Sequence, residues 1–261
     1  MSEENLQLEW NGAVATIRLN DPATRNAVTI DMLERLDAAL DDVETRARAL
    51  VLTGAGGAFC SGANLSGGMG AEGDPAEFDA GLVLDTHINP LMERLRTFGV
   101  PWISGVRGAA AGVGASLALA GDMIVASDTA FFLQAFAQVG LVPDGGSSHL
   151  LVRTIGRPRA MELMLLGERL PAEKALAWGL INRVVPDADL DAEVQALAQR
   201  LASGAGSLAS IRKVAWIAVD GDLAAAMAAE RAAQVGAGRS ADHQEGLAAF
   251  KEKRPARFNG R

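Results

Sequence analysis

The sequence predicts an α/β core followed by a helical C-terminal region. Three observations carry this reading. Apolar runs of strand length alternate with helix-period segments through the first half. A strand, a glycine-rich turn and a helix recur in that order at Leu50–Leu65 and again at Trp102–Leu119. After Gly145 strand signals nearly vanish. The boundary is placed at 1–200 for the core and 201–261 for the C-terminal helices.

Leu6–Trp10 and Ala13–Leu19 have alternating apolar positions and predict paired strands, with Asn11-Gly12 as the hairpin turn. Asn20-Asp21-Pro22 ends the second strand. Thr29 is placed to cap a helix whose Leu33, Leu36, Leu40 and Val43 recur at helical spacing. Ala49–Thr53 predicts a short buried strand. Ser66–Pro75 holds four glycines without periodicity and predicts a loop. A longer helix is expected from Ala76 to Arg96. Then come a strand at Trp102–Val106, a short apolar helix at Gly114–Ala120 and a strand at Met123–Ala126. Helices follow at Gly146–Ile155, Pro158–Leu166, Ala172–Trp178, Leu190–Ala202, Leu208–Val219, Leu223–Val235 and Ala241–Lys251. One short strand, Asn182–Val185, interrupts them.

Composition excludes several functions. The chain has 261 residues, 49% of them apolar, which is enough to offset the ordering entropy of folding. A single cysteine, Cys60, excludes a disulfide framework and a cysteine-built zinc site. There is no tyrosine, and the three histidines are scattered, so neither a phenol acid nor a histidine metal cage is expected. A net charge of −8 disfavours a nucleic-acid partner. The acidic, polar start Met1-Ser2-Glu3-Glu4-Asn5 is not a secretory signal, and the apolar stretch Ala109–Ala120 is too short to span a bilayer. These features predict a cytoplasmic protein with no membrane partner.

Two tempting motifs are set aside. Gly68-Met69-Gly70-Ala71-Glu72-Gly73 has dinucleotide-fingerprint spacing, but it lies in the aperiodic loop and runs into Asp74-Pro75 rather than opening a helix. Ser147 and His149 stand two apart, so on one helix they do not face each other, and no nucleophile elbow surrounds the serine.

Four other segments combine. Phe59-Cys60-Ser61-Gly62-Ala63-Asn64-Leu65 and Gly108-Ala109-Ala110-Ala111-Gly112-Val113-Gly114-Ala115-Ser116 are glycine-rich turns. Glycine lets backbone N–H groups approach a ligand, and two converging N–H groups make an oxyanion hole. Each turn taken singly fits tight backbone packing equally well. Gly140-Leu141-Val142-Pro143-Asp144-Gly145-Gly146 places an aspartate just before a predicted helix, where it reads either as a turn residue or as a positioned acid–base. Phe250-Lys251-Glu252-Lys253 holds two of the four lysines of the chain beside an aromatic, either a solvated helix end or a phosphate contact.

Together with Arg25-Asn26-Ala27, these segments resemble the crotonase superfamily, the enoyl-CoA hydratase/isomerase family, over roughly residues 8–258. The resemblance implies a spiral of ββα repeats with a C-terminal helical trimerisation region, assembled as a homotrimer or homohexamer. It implies an acyl-CoA thioester as ligand and no cofactor, because coenzyme A enters as part of the substrate. It assigns the oxyanion-hole donors to the N–H groups of Ser61 and Val113. Acyl-CoA contacts fall to Arg25, Ala27, Ala63, Asn64, Leu65 and Gly112, with Phe250 and Lys253 supplied by a neighbouring subunit. Phe131, Phe132 and Phe136 fit either an apolar acyl pocket or ordinary core.

The departures from the family pattern bear on chemistry. Hydratases of this family use two glutamates, and the matching positions here are Ser116 and Phe136. Neither side chain can activate water at neutral pH. The subset it most resembles, the ring-1,2-epoxyphenylacetyl-CoA isomerases, which also convert 3-enoyl-CoA to 2-enoyl-CoA, places a carboxylate where Asp144 stands. The match includes Asn89-Pro90-Leu91 and Gly238-Arg239-Ser240-Ala241-Asp242. Asn89 is expected to orient substrate or Asp144. A family dehalogenase also has an aspartate there but needs a histidine near position 89, where this chain has asparagine. The expectation is therefore an isomerase with Asp144 as proton shuttle. A hydratase and a non-catalytic acyl-CoA-binding protein stay open.

Overall fold

The computed structural model describes residues 5–65 and 79–260. The expected Ser66–Pro75 loop, the Gly68–Gly73 motif and the start of the helix expected from Ala76 lie outside the described residues.

The chain opens with β1 (Leu6–Asn11) and β2 (Val14–Leu19), an antiparallel pair. The turn sits one residue later than expected, at Gly12 and Ala13, with Gly12 supplying the positive φ of 62°. Helix α1 (Ile30–Arg46) starts at Thr29, whose side chain accepts the Met32 N–H, and buries Met32, Leu33, Leu36, Leu40 and Val43. Strand β3 (Ala49–Gly54) is buried along its whole length, as expected of a strand covered on both faces.

A π-helical turn at Leu84–Ile88 leads into α2 (Asn89–Thr97). Strand β4 (Trp102–Val106), β5 (Ala109–Ala111) and α3 (Val113–Leu119) come next, then β6 (Met123–Ser127), β7 (Phe131–Leu133) and α4 (Ser147–Leu166). Gly156, at φ 76° and ψ 158°, breaks α4 just before Pro158. The two helices expected there are thus two arms of one kinked element. The rest comprises β8 (Leu170–Pro171), α5 (Ala172–Ala177), β9 (Arg183–Val185) and α6 (Leu190–Ala202), followed by α7 (Ser207–Asp220), α8 (Leu223–Gly238) and α9 (Ala241–Glu252).

The strands form two sheets. The larger has the order β1-β2-β3-β4-β6-β9 and is parallel apart from the first hairpin. The smaller has the order β5-β7-β8. Single bridges, Val28 to Ala63 and Cys60 to Ala110, extend the smaller ladder. The chain therefore repeats one path four times. It passes along a strand of the large sheet, takes a short step in the small ladder, and then enters a helix: β2–Val28–α1, β3–Cys60–α2, β4–β5–α3 and β6–β7–α4. The sequence shows two of these four turns. The second strand of each unit is three residues or fewer, too short to carry a period.

Helix α6 packs Leu190, Val194, Leu197 and Ala198 on the outer face of the large sheet, against Val14, Val51, Ile103 and Val125. The main core lies between the sheets and α1 to α5. Helices α7 to α9 follow as an outer group. Buried Arg212 of α7 ties them to the core by pairing with Asp122 at 2.7 Å and donating to the carbonyls of Arg96 and Phe98. Asp242 accepts the N–H groups of Gly206, Asn259 and Gly260, which pins the C-terminal tail across the start of α7. Among the described residues no helix is long and apolar enough to cross a membrane, and no group of three His, Cys, Asp or Glu side chains could hold a metal.

Candidate active site

The small ladder fixes the direction of several amides in the two glycine-rich turns. Cys60 donates to the Ala109 carbonyl, and its own carbonyl accepts from Ala111 N–H, so Cys60 faces the β5 edge. Ser61 faces the opposite way, and its N–H donates to the Arg25 carbonyl at 3.0 Å. The expected role of Ser61 as an oxyanion donor is therefore corrected, because that amide is already committed. Val28 donates to the Gly62 carbonyl and accepts from Asn64 N–H, so Gly62 C=O and Asn64 N–H point at Val28. Ala63 N–H lies across the peptide plane from the Gly62 carbonyl and so points away from Val28.

The second turn mirrors this. Ala111 N–H faces Cys60, and Gly112 N–H turns to the Leu133 carbonyl at 2.9 Å. Val113 is the first residue of α3, where N–H groups lack intrahelical partners. The two turns touch through their glycines. A Cβ on Gly62 would lie 3.1 Å from the Ala111 carbonyl oxygen, and one on Gly112 would lie 3.7 Å from Gly62 Cα. Gly62-Ala63 and Gly112-Val113 thus lie side by side, each with an amide after its glycine. Ala63, read from the sequence as a ligand contact, follows Gly62 as Val113 follows Gly112.

Asn26 holds the first turn in place. It is fully buried, and its amide nitrogen donates to the carbonyls of Ala55, Ala58 and Phe59 while its oxygen accepts from Asp21 N–H. Sequence reasoning gave Asn26 no role of its own. The adjoining Arg25 is exposed in the left-handed region at φ 59°, and Ala27 is buried. Asn64 is half-buried and Leu65 is exposed at the end of the first turn. Cys60 is inert as a nucleophile, since burial pushes its thiol up to about 12.

Asp144 approaches from a third direction. Its carbonyl accepts the Ser116 hydroxyl at 2.9 Å, the Ser147 N–H at 3.0 Å and the Ser147 hydroxyl at 3.0 Å. Its carboxylate Oδ1 is buried with no hydrogen-bond partner among the described residues. Burial pushes the carboxyl up to about 6, with no ion pair or hydrogen bond among the described residues to counter it. Main chain and side chain are thus treated oppositely, the first fully tied and the second left bare.

Ser116 lies one turn along α3 from Val113 and is fully buried. Its hydroxyl donates to the Asp144 carbonyl. Phe136 is buried in the 3₁₀ turn Ala135–Val139, and its ring tip would lie 3.8 Å from a Cβ on Gly112. Asn89 is exposed at the start of α2 and lines a cavity of about 220 Å³ with Gly145, Gly146 and His149, on the same turn as Asp144. Phe250 and Lys253 stand exposed at the end of α9. Ser147 and His149 do not pair: the serine bonds Asp144 and Gln134, and His149 faces Asp220 at 3.1 Å.

Comparison with known proteins gives these features a family. The sequence pattern of the enoyl-CoA hydratase/isomerase family matches residues 9–261. The chain is 41% identical over 262 residues to a Rhodobacter capsulatus protein named "Probable enoyl-CoA hydratase", covering 100% of both chains. It is also 41% identical over 251 residues to the 1,2-epoxyphenylacetyl-CoA isomerase of Escherichia coli, covering 95% of each. The fold is similar to the crystal structure of an enoyl-CoA hydratase from Polaromonas sp. JS666, with a TM-score of 0.89 at 34% identity, covering 97% of this chain and 99% of the other. With its four-turn spiral and its paired glycine turns, the chain belongs to the enoyl-CoA hydratase/isomerase family, the crotonase-fold enzymes that act on acyl-CoA thioesters.

Proposed function

We propose that this enzyme isomerises enoyl-CoA thioesters, shifting a double bond or rearranging a ring epoxide through a thioester enolate. The observation that carries this reading is the Asp144 carboxyl, buried and unpartnered on a turn bonded to the helix that Val113 opens. In this reading the thioester oxygen lies between the amides of Ala63 and Val113. Charge moves onto that oxygen when a proton leaves the neighbouring carbon. Two preorganised donors favour the charged form, and losing one such donor costs about 3–4 kcal/mol. Asp144 takes the proton from one carbon and returns it to another. A carboxyl held near pH 6 suits both halves of that transfer at neutral pH. Coenzyme A enters as part of the substrate, and no step calls for a separate cofactor.

Hydration needs two polar groups, one to activate water and one to protonate carbon. At the two positions where the family's hydratases carry glutamates stand buried Ser116 and Phe136. The space beside Ser116 is also filled, since a Cβ on Gly145 would come within 2.9 Å of Ser116 Cβ. The hydratase name of the Rhodobacter relative supports hydration as the second reading. A homotrimer or homohexamer fits the exposed apolar residues Ile211, Leu223, Met227 and Phe250 on α7 to α9.

The test is a product-resolved assay on aliphatic 3-enoyl-CoA esters and aromatic ring-epoxide esters in doubly labelled water. The expected product is an isomer carrying no solvent oxygen. Solvent oxygen in a 3-hydroxyacyl-CoA would establish the hydratase reading instead, and tight binding without turnover on any ester would leave only a binding protein.

A further inference from the structure

Resting on that reading, the geometry points to Ser116 as a positioning residue that locks the Asp144 turn to the helix carrying the Val113 amide. Helix α3 is two turns long, and Val113 and Ser116 lie three apart on one face of it. The Ser116 hydroxyl has one proton and two acceptors in reach, the Asp144 carbonyl at 2.9 Å and the Gly112 carbonyl at 3.4 Å. The shorter contact takes the proton, and the turn is thereby fastened to the donor helix rather than the helix to itself.

Two features show that the contact is built rather than incidental. Gly145 adopts φ 54° and brings its backbone so close that an added Cβ would lie 2.9 Å from Ser116 Cβ and 3.6 Å from Ile88 Cγ2. Ser147 grips the same carbonyl from the other side with both its N–H and its hydroxyl, and the hydroxyl also reaches Gln134 Oε1 at 3.2 Å. Three donors on one carbonyl hold the main chain of Asp144 while its carboxylate Oδ1 stays bare. A base that must serve two carbons needs a fixed root and a free head. Ser116 occupies one of the two positions where a hydratase carries a glutamate, so here that position anchors a carboxylate on a different turn instead of supplying one.

The experiment is steady-state kinetics on Ser116→Ala with a 3-enoyl-CoA ester across pH, beside Ser147→Ala and Asp144→Asn. For Ser116→Ala, kcat is expected to fall about tenfold to a hundredfold while KM changes less than about twofold, because a loosened root misplaces the base but leaves the thioester donors in place. The acid limb of kcat/KM is expected to move from about 6 toward the ordinary aspartate range, because the loosened carboxyl reaches water. Ser147→Ala, which keeps its N–H contact, is expected to shift both quantities in the same direction by less, and it carries the test if Ser116→Ala does not fold. Wild-type kcat and an unmoved acid limb in the folded variants would overturn the inference. A kcat loss with an unmoved acid limb would also overturn it, since that is the signature of general damage. Full turnover in Asp144→Asn would instead defeat the isomerase reading itself, whatever Ser116 does.

Discussion

Asp122 and Asp144 are both partly buried aspartates at the ends of glycine-containing turns, and their surroundings make them opposites. Burial pushes both carboxyls up. Asp122 is met by the Arg212 guanidinium at 2.7 Å and by Trp102 N–H at 2.9 Å, which work against that push. Asp144 has no such partner among the described residues, so nothing there offsets the desolvation of its carboxyl. A partnered buried acid is a joint between parts of the fold. An unpartnered one is a destabilising feature that persists where chemistry needs an available base.

The contrast breaks most easily at the joint. Arg212→Met should cost about 3–5 kcal/mol of stability, because it strands a buried carboxylate and frees the carbonyls that the guanidinium satisfies. Denaturant titration measures this. Turnover per folded molecule should stay near wild type, and a selective loss of kcat would place Asp122 in the chemistry.

Asp144→Asn should do the reverse. Turnover should drop by roughly a hundredfold or more, in line with a lost general acid–base, while acyl-CoA binding by calorimetry persists. Stability should rise. The folded carboxyl titrates near 6 and the unfolded one near 4, so ionisation destabilises the native state as pH climbs between those values. The variant should therefore gain about 1–3 kcal/mol at pH 7.5, and the gain should vanish at pH 4. A destabilised variant at pH 7.5 would mean that the carboxylate has a partner after all.

The smallest effect belongs to Phe250→Ala. Phe250 is 85% exposed, so unfolding of the isolated chain should change by less than about 0.5 kcal/mol. If a neighbouring subunit presents it to coenzyme A, KM for the acyl-CoA ester should rise several-fold. An unchanged KM would remove Phe250 from the binding surface.

Much of this architecture is legible in the sequence. The Thr29 cap, the apolar face of α1, the buried run of β3 and the break before Pro158 are each written in local patterning, because a helix face or a doubly covered strand must repeat along the chain. The glycines at 62, 112 and 145 also mark themselves as places of close approach. Amide direction is a different kind of information. Ser61 and Ala63 are near neighbours in sequence with opposite fates, one amide spent on Arg25 and the other turned away from Val28 across the peptide plane from the Gly62 carbonyl. Only the pairing of Val28, Cys60 and Ala110 decides between them.

By itself, the sequence determined the alternating strand and helix pattern, the helical C-terminal region, the two glycine turns and the lone acid at Asp144, since these follow from the period and residue type of contiguous segments. The tertiary structure alone decided that the Ser61 amide is spent on Arg25, that Ser116 bonds the Asp144 carbonyl, and that Asp122 is held by Arg212 while the Asp144 carboxyl meets no partner among the described residues. The reason is physical. Hydrogen-bond direction and desolvation belong to partners 28 to 90 positions apart in the chain, and no local pattern encodes which of those partners will arrive.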